Sequence, residues 1–395
     1  MSNDWSGRWL LIGDGAVLPD AAALLRCLFL AEGQSSRGVW ASSSLALLAA
    51  LAGEKVGDEF PEDFYHQRSI EWYPLPRSRF ANVRQLLPTQ SLSLETRKPT
   101  FSNYAQPIEP RPYEEVVQAL QERLITFFGF VKSNWSTVHL PLTAGMDSRV
   151  LLAAAKAAGC DVQCFTQAHA KMHPHDRVVP EQVARAAEVP YRFIDASEPD
   201  LARQQLYDGF THRTYATIVR ETFVNDQYRG IDSGILLRGN CFEVARRGYA
   251  IRFWEAPVVE GFQAMLRRFD LSPEAEVASS LAEWLDWAQA NPVTGLEWTD
   301  RFHLEQRLAG WYAAIEQALD LLPVEHVPPV NSVGIYRLLL SLDGDLRQRG
   351  EHQHDLIQRM WPILLTVPIN PVEQQKRTLR RRLRGVIRRV LQCVS

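Results

Sequence analysis

Thr143-Ala144-Gly145-Met146-Asp147-Ser148 is the stretch of this sequence whose residue types and order most directly suggest chemistry. An apolar run ends at Leu142, small residues follow, and Asp147-Ser148 open a second apolar run from Val150 to Ala158. The pattern predicts a strand, a phosphate-sized loop and a helix. Small residues let backbone approach an anion closely, and a helix N-terminus presents unpaired N–H groups at the positive end of its dipole. Asp147 would repel a phosphate but can hold the Mg²⁺ that accompanies a nucleotide. The loop is therefore a candidate nucleotide site.

A second loop supports the first. Ile235-Leu236-Leu237-Arg238-Gly239 reads as an apolar strand ending in glycine, and Asn240 to Tyr249 (NCFEVARRGY) come after it. The first loop resembles the pyrophosphate loop S-G-G-x-D-S of the asparagine synthetase family. The second aligns without a gap on that family's V-L-L-S-G-E-G-A-D-E-L-F-G-G-Y, where Gly239, Gly248 and Tyr249 are identical. Glu243 falls where the family has its metal-binding Asp, while Arg246-Arg247 replace an aromatic residue and a glycine.

The resemblance implies ATP and Mg²⁺ as cofactors and an AMP-forming amide-bond ligase. A carboxylate attacks the α-phosphate of ATP, and an amine then displaces AMP. It implies that Thr143, Ala144, Gly145, Met146, Asp147, Ser148, Thr166 and Gly239 contact the nucleotide, with Thr166 and Gln167 bordering the adenine. Asp147 and Glu243 would hold the metal, and Glu243 and Lys376 would be catalytic. Lys376, the one lysine after Lys171, is loosely similar to a family lysine placed over the acyl-adenylate. Asp176 and Gln182 to Arg185 resemble the family's D…A..VA segment, and Trp298 to Arg307 its approach to the substrate pocket. The implied partners are a small-molecule or peptide carboxylate, with a precursor peptide or a partner biosynthetic protein in the macrolactam-forming variants.

The elements that must position these residues can be read from the pattern. Asp161 to Thr166 and Tyr191 to Ile194 read as strands, with a helix from about Pro180 between them. Strands alternating with helices predict an α/β fold with a parallel sheet, which binds ligands at the carboxyl ends of its strands. The resemblance makes that sheet the adenine-nucleotide α-hydrolase-like, pyrophosphate-loop type, with a helical C-terminal part beginning near Trp254. The resemblance implies that residues 106–375 form this ATP-binding domain, and residues 376–395 are expected to follow it as a separate helix. Residues 1–105 are expected to form a small, shortened α+β domain like the later part of the family's glutaminase. Val39 to Ser43 begin a helix of Leu and Ala, short strands lie near Phe80 to Leu94, and Pro107, Pro110 and Pro112 mark the linker. The family's N-terminal nucleophilic cysteine is replaced by Ser2, and the first cysteine is Cys27 within an apolar run. The domain therefore reads as catalytically silent, and the amine as either internal to the substrate or ammonia from elsewhere.

Composition narrows the setting. The 395 residues are 46% hydrophobic, ample for a core in a chain longer than a usual single domain. Five cysteines, odd in number and with one close pair, Cys160 and Cys164, predict a reducing cytoplasm, and neither a signal peptide nor a transmembrane span is expected. Residues 376–395 hold eight of the 43 lysines and arginines and no acidic residue, with apolar positions at helical spacing. Such a basic amphipathic helix either docks on the acidic body or makes weak contact with an anionic membrane surface or partner. That acidic body argues against nucleic acid as a partner. Trp284, Trp287 and Trp311 read as core aromatics. His169, His173 and His175 form either a metal site or a solvated loop closing over the nucleotide. The alternatives to the ligase are a non-catalytic ATP-binding scaffold or regulatory protein and a different pyrophosphate-loop reaction, such as modification of a nucleic-acid base.

Overall fold

The computed structural model describes residues 4–30, 40–53, 72–80, 82–169, 172–211, 217–249, 258–269 and 276–371. Lys376 and the expected basic helix lie outside them, as does Ser2.

The N-terminal part contains two antiparallel sheets. Strands β1 (Leu10–Gly13) and β2 (Ala16–Pro19) form a hairpin, and β3 (Leu28–Leu30) pairs with β4 (Ala41–Ser42). Helix α1 (Leu45–Ala52) forms over the run of Leu and Ala, but it starts later than expected, because Ala41–Ser42 pair with β3 as a strand and Ser44 supplies the cap. The Ser44 hydroxyl caps it, accepting from Leu47 N at 3.2 Å, and Gly53 ends it in the left-handed conformation. Strand β5 (Val83–Gln85) pairs with β3, and β6 (Gln90–Ser93) and β7 (Pro99–Phe101) complete the first sheet in the order β1-β2-β6-β7.

The proline-marked linker ends at α2 (Tyr113–Asn134), which buries the stripe Val116, Leu120, Leu124, Phe128 and Val131 at helical spacing. The chain then enters a five-stranded, all-parallel sheet. Strand β8 (Val138–Pro141) leads to α3 (Met146–Ala157), β9 (Gln163–Gln167) to α4 (Val179–Ala187), and β10 (Tyr191–Ile194) closes that wing. Helices α5 (Leu201–Thr211) and α6 (Thr217–Val224) carry the chain back across to β11 (Ile235–Leu237). Strand β12 (Glu325–Val327), which the residue pattern did not reveal, is the other edge. The order β10-β9-β8-β11-β12 means that β8 and β11 flank the point where strand order reverses.

Between β11 and β12 lie α7 (Val258–Arg268), α8 (Glu276–Ala290), α9 (Trp298–Phe302), a π-helical stretch His303–Tyr312, and α10 (Ala313–Leu319). After β12 come α11 (Val333–Leu340), α12 (Gly344–Arg349) and α13 (Glu351–Met360). The expected helical C-terminal part is present, with Trp284 fully buried as a core aromatic. Among the described residues no helix is long and apolar enough to cross a membrane.

The N-terminal sheets share their cores with the parallel sheet and its helices. Ala22, Leu24 and Tyr104 pack with the apolar residues around β8 and α3, while Trp72, Leu75 and Leu87 pack with α7, α8 and Phe302. Buried Asp20 is the polar tie. Its carboxylate accepts from Leu24 N at 2.9 Å, Leu25 N at 2.8 Å and Asn331 Nδ2 at 2.7 Å, and the Tyr336 hydroxyl donates to Asn331 Oδ1. Replacing Asp20 by Ala strands these buried donors at about 1–3 kcal/mol each. We predict that Asp20→Ala lowers unfolding stability by about 3 kcal/mol or more in urea titrations, with Asp20→Asn intermediate.

Candidate nucleotide site

The loop after β8 is pinned from both sides. Leu142 N donates to Phe165 O at 2.7 Å, and the buried Thr166 hydroxyl donates to Leu142 O at 2.7 Å. Thr166, expected at the adenine, thus uses its hydroxyl to fix the loop entry. Inside the loop, Thr143 N donates to Ser148 Oγ at 3.1 Å, Gly145 N to Thr143 Oγ1 at 3.2 Å, and Ala144 N to Asp176 Oδ1 at 2.7 Å. These three N–H groups are occupied by the protein itself, so Gly145 N is not free for the phosphate expected there. Beyond Gly145, helix α3 begins at Met146, and no side-chain hydrogen bond caps it among the described residues. Its first N–H groups, on Met146, Asp147 and Ser148, lack carbonyl partners within the helix.

Gly239 brings the second loop against the first. A Cβ at this position would lie 3.2 Å from Ser148 N and 3.3 Å from the Asp147 carbonyl carbon. The two loops therefore meet backbone to backbone, and only glycine leaves that contact undisturbed. Past it, Cys241 takes a positive φ of 81° and a short 3₁₀ turn, Phe242–Arg246, carries Glu243.

Asp147 and Glu243, the two carboxylates singled out in the sequence, share one side chain. The Arg246 guanidinium pairs closely with Asp147 Oδ2 and stands 4.0 Å from Glu243 Oε1. Gln353 Nε2 holds the other Asp147 oxygen at 2.6 Å. Burial pushes the Glu243 carboxyl above the usual carboxylate range. The charge of Asp147 adds to this, while Arg246, Arg307 and Arg238 oppose it. Among the described residues no cluster of three or more His, Cys, Asp and Glu stands ready for a metal. Two carboxylates suit a Mg²⁺ whose remaining ligands are nucleotide oxygens and water.

A cavity of about 240 Å³ opens beside the strand ends, between Gln167, His169, Tyr228, Arg238, Trp311 and Leu319. Arg238 forms an ion pair with buried Glu316 at 3.3 Å, and Arg307 lies 3.7 Å over the Trp311 ring. Of the histidine trio, His169 lines this cavity, whereas His173 and His175 stack on each other.

Several participants have no signal in the local sequence. Gln353 reaches the loop from a distant helix, Asp176 was singled out only by the resemblance, and Arg246 was visible only as a departure from the family pattern. His303 and His352 are a further pair near Arg246. Neither ring nitrogen of either one finds a hydrogen-bond partner among the described residues. No protein-family model matches the chain, and no curated protein matches it either.

Burial, reinforced by nearby arginines, pushes His303 down to about 3 and His352 down to about 4. An imidazole protonates near pH 6.5 when unfolded, so the unfolded state binds more protons in the interval below that value. Stability is then complete above about pH 6.5 and falls toward pH 4, by about 1.4 kcal/mol per pH unit for each imidazole. Urea titrations across this range should show this contribution, and His352→Leu should lower the slope by about 1.4 kcal/mol per pH unit. An unchanged slope in the variant would remove His352 from the account.

Proposed function

We propose that the chain is an ATP-dependent, AMP-forming amide ligase resembling asparagine synthetase, built on a sheet of the adenine-nucleotide α-hydrolase-like type. One observation carries this reading: Asp147 and Glu243, from the loops after β8 and β11, converge at the reversal of strand order beside an uncapped helix N-terminus. Open parallel sheets bind ligands at such a reversal, and a helix N-terminus favours phosphate.

In this reading the Met146, Asp147 and Ser148 N–H groups orient the phosphates. Asp147 and Glu243 hold Mg²⁺, which when bound neutralises phosphate charge. The cavity beyond Gln167 has apolar and aromatic walls suited to the base. The substrate carboxylate oxygen attacks the α-phosphorus, the bond to the β-phosphate breaks, and pyrophosphate leaves. The amine then attacks the acyl carbon and AMP departs. Positioning and preorganised charge supply the acceleration. Lys376, outside the described residues, is assigned to the acyl-adenylate by resemblance alone. The amine is proposed to come from the substrate or from a separate ammonia source.

A second reading, nucleotide binding without turnover, is favoured by the loop donors that Asp176 and Thr143 already occupy. Exchange kinetics separate the two. With its carboxylate substrate the protein should incorporate labelled pyrophosphate into ATP before any amine is added, and should yield AMP, never ADP. Binding of Mg·ATP in calorimetry without exchange, across a broad panel of acids, would favour the non-catalytic reading. Formation of ADP would exclude the ligase.

Asp147→Asn and Glu243→Gln should each reduce exchange by at least about a hundredfold, because each removes a charge from the metal position. Circular dichroism should show both variants folded. Full exchange in either would remove that residue from the metal assignment.

A further inference from the structure

Arg246 occupies the space between the two carboxylates that the proposed function gives to a divalent cation. We infer that Arg246 is a tethered counter-ion, holding Asp147 and Glu243 together in the nucleotide-free protein and transferring its guanidinium to the pyrophosphate group when Mg·nucleotide enters. The transfer rests on the proposed function; the counter-ion role does not.

Three features support the exchange. Arg246 stands three residues after Glu243 on the same short 3₁₀ turn, so it reaches Asp147 and Glu243 without any loop rearrangement. Its side chain is 44% exposed, against 18% for Asp147, so it sits on the solvent side of the pair and can swing outward. The turn beneath it is anchored independently. Arg247 adopts a φ of 50° and pairs with both oxygens of Glu297 at 2.9 Å, so Arg246 can move while its backbone stays in place.

Charge supplies the reason for the exchange. Two adjacent carboxylates repel each other, and a single guanidinium offsets half of their charge. A Mg²⁺ ion offers twice that charge, but in the free protein it must first displace the arginine. Arriving with a nucleotide, it also brings phosphate oxygens that the released guanidinium can bind in bidentate fashion. Nearby His303 and His352 are kept neutral by burial, so they do not duplicate the cation.

The test uses the full chain and no turnover. Mn²⁺ binding to wild type, Arg246→Gln and Arg246→Lys would be followed by electron paramagnetic resonance, and inorganic pyrophosphate binding at saturating Mn²⁺ by calorimetry. Arg246→Gln should bind Mn²⁺ about tenfold more tightly than wild type and pyrophosphate about tenfold more weakly. Arg246→Lys, which keeps the charge, should remain near wild type for Mn²⁺ and confirms that the site tolerates substitution. Adding Asp147→Asn to Arg246→Gln should abolish the gained Mn²⁺ affinity.

Equal Mn²⁺ affinity in wild type and Arg246→Gln would overturn the counter-ion role. A gain that survives Asp147→Asn would overturn it too, by placing the ion elsewhere. Tighter Mn²⁺ binding with unchanged pyrophosphate affinity would overturn the transfer alone. If wild type fails to bind Mg·ATP while Arg246→Gln gains Mn²⁺, the ligase reading falls and the counter-ion stands.

Discussion

Everything at the strand ends depends on one buried guanidinium. Arg149, in the first turn of α3, is fully buried and donates to the carbonyls of Leu364 at 2.9 Å, Val367 at 2.6 Å, Pro368 at 2.9 Å and Ala144 at 3.2 Å. Burial lowers its pKa to about 10, which still leaves it charged at neutral pH. The planar fork of an arginine suits several carbonyls at once, and a lysine could satisfy fewer of them. Through this side chain the phosphate-sized loop is fastened to a segment more than two hundred residues further along. Asn370 N adds a contact to Ala144 O from the same segment. Helix α13, which supplies Gln353 to Asp147, packs on α3 directly before that segment.

The π-helical stretch performs a similar service for the N-terminal sheets. Glu305 pairs with Arg301 and accepts from the Trp284 indole at 2.7 Å and from the Thr89 hydroxyl. Beside it, Gln306 exchanges hydrogen bonds with both backbone groups of Leu75. Gly310 has no room for a Cβ, which would lie 2.4 Å from the Trp72 ring. A widened helix places Glu305 and Gln306 side by side toward the N-terminal part, and π-helical turns recur near functional sites. The far end of the same stretch carries Trp311 into the cavity wall, so the N-terminal sheets and the cavity share one support.

Much of this was legible from residue order. Strands β8 to β11 and helices α3 and α4 stand where apolar runs and small-residue turns put them, because each is set by local pattern. Asp147 and Glu243 were singled out by two loop motifs, and both face Arg246 in the structure. Strand β12 was missed because its three residues, between Pro323 and Pro328, are too few to display a period, and pairing with β11 alone defines them. Arg149, Gln353 and the Asp20–Asn331 tie were illegible for a different reason. Each joins positions from about two hundred to more than three hundred residues apart, and no local signal distinguishes such a buried polar group from an exposed one. The role of Arg246 was hidden likewise: the sequence displays a charge but not the two carboxylates it faces.

The backbone contact at Gly239 has a mechanical consequence. Because the main chain of one loop rests on the main chain of the other, the span between Asp147 and Glu243 is gauged by peptide units rather than by side chains. Peptide units do not change rotamer, so the gauge stays constant while Arg246 moves. The two loops then behave as the fixed jaws of a single clamp, and closure around a ligand must come from elements outside it. Any side chain at 239 would act as a shim, widening the jaws by an amount that substitution at neither carboxylate could reverse.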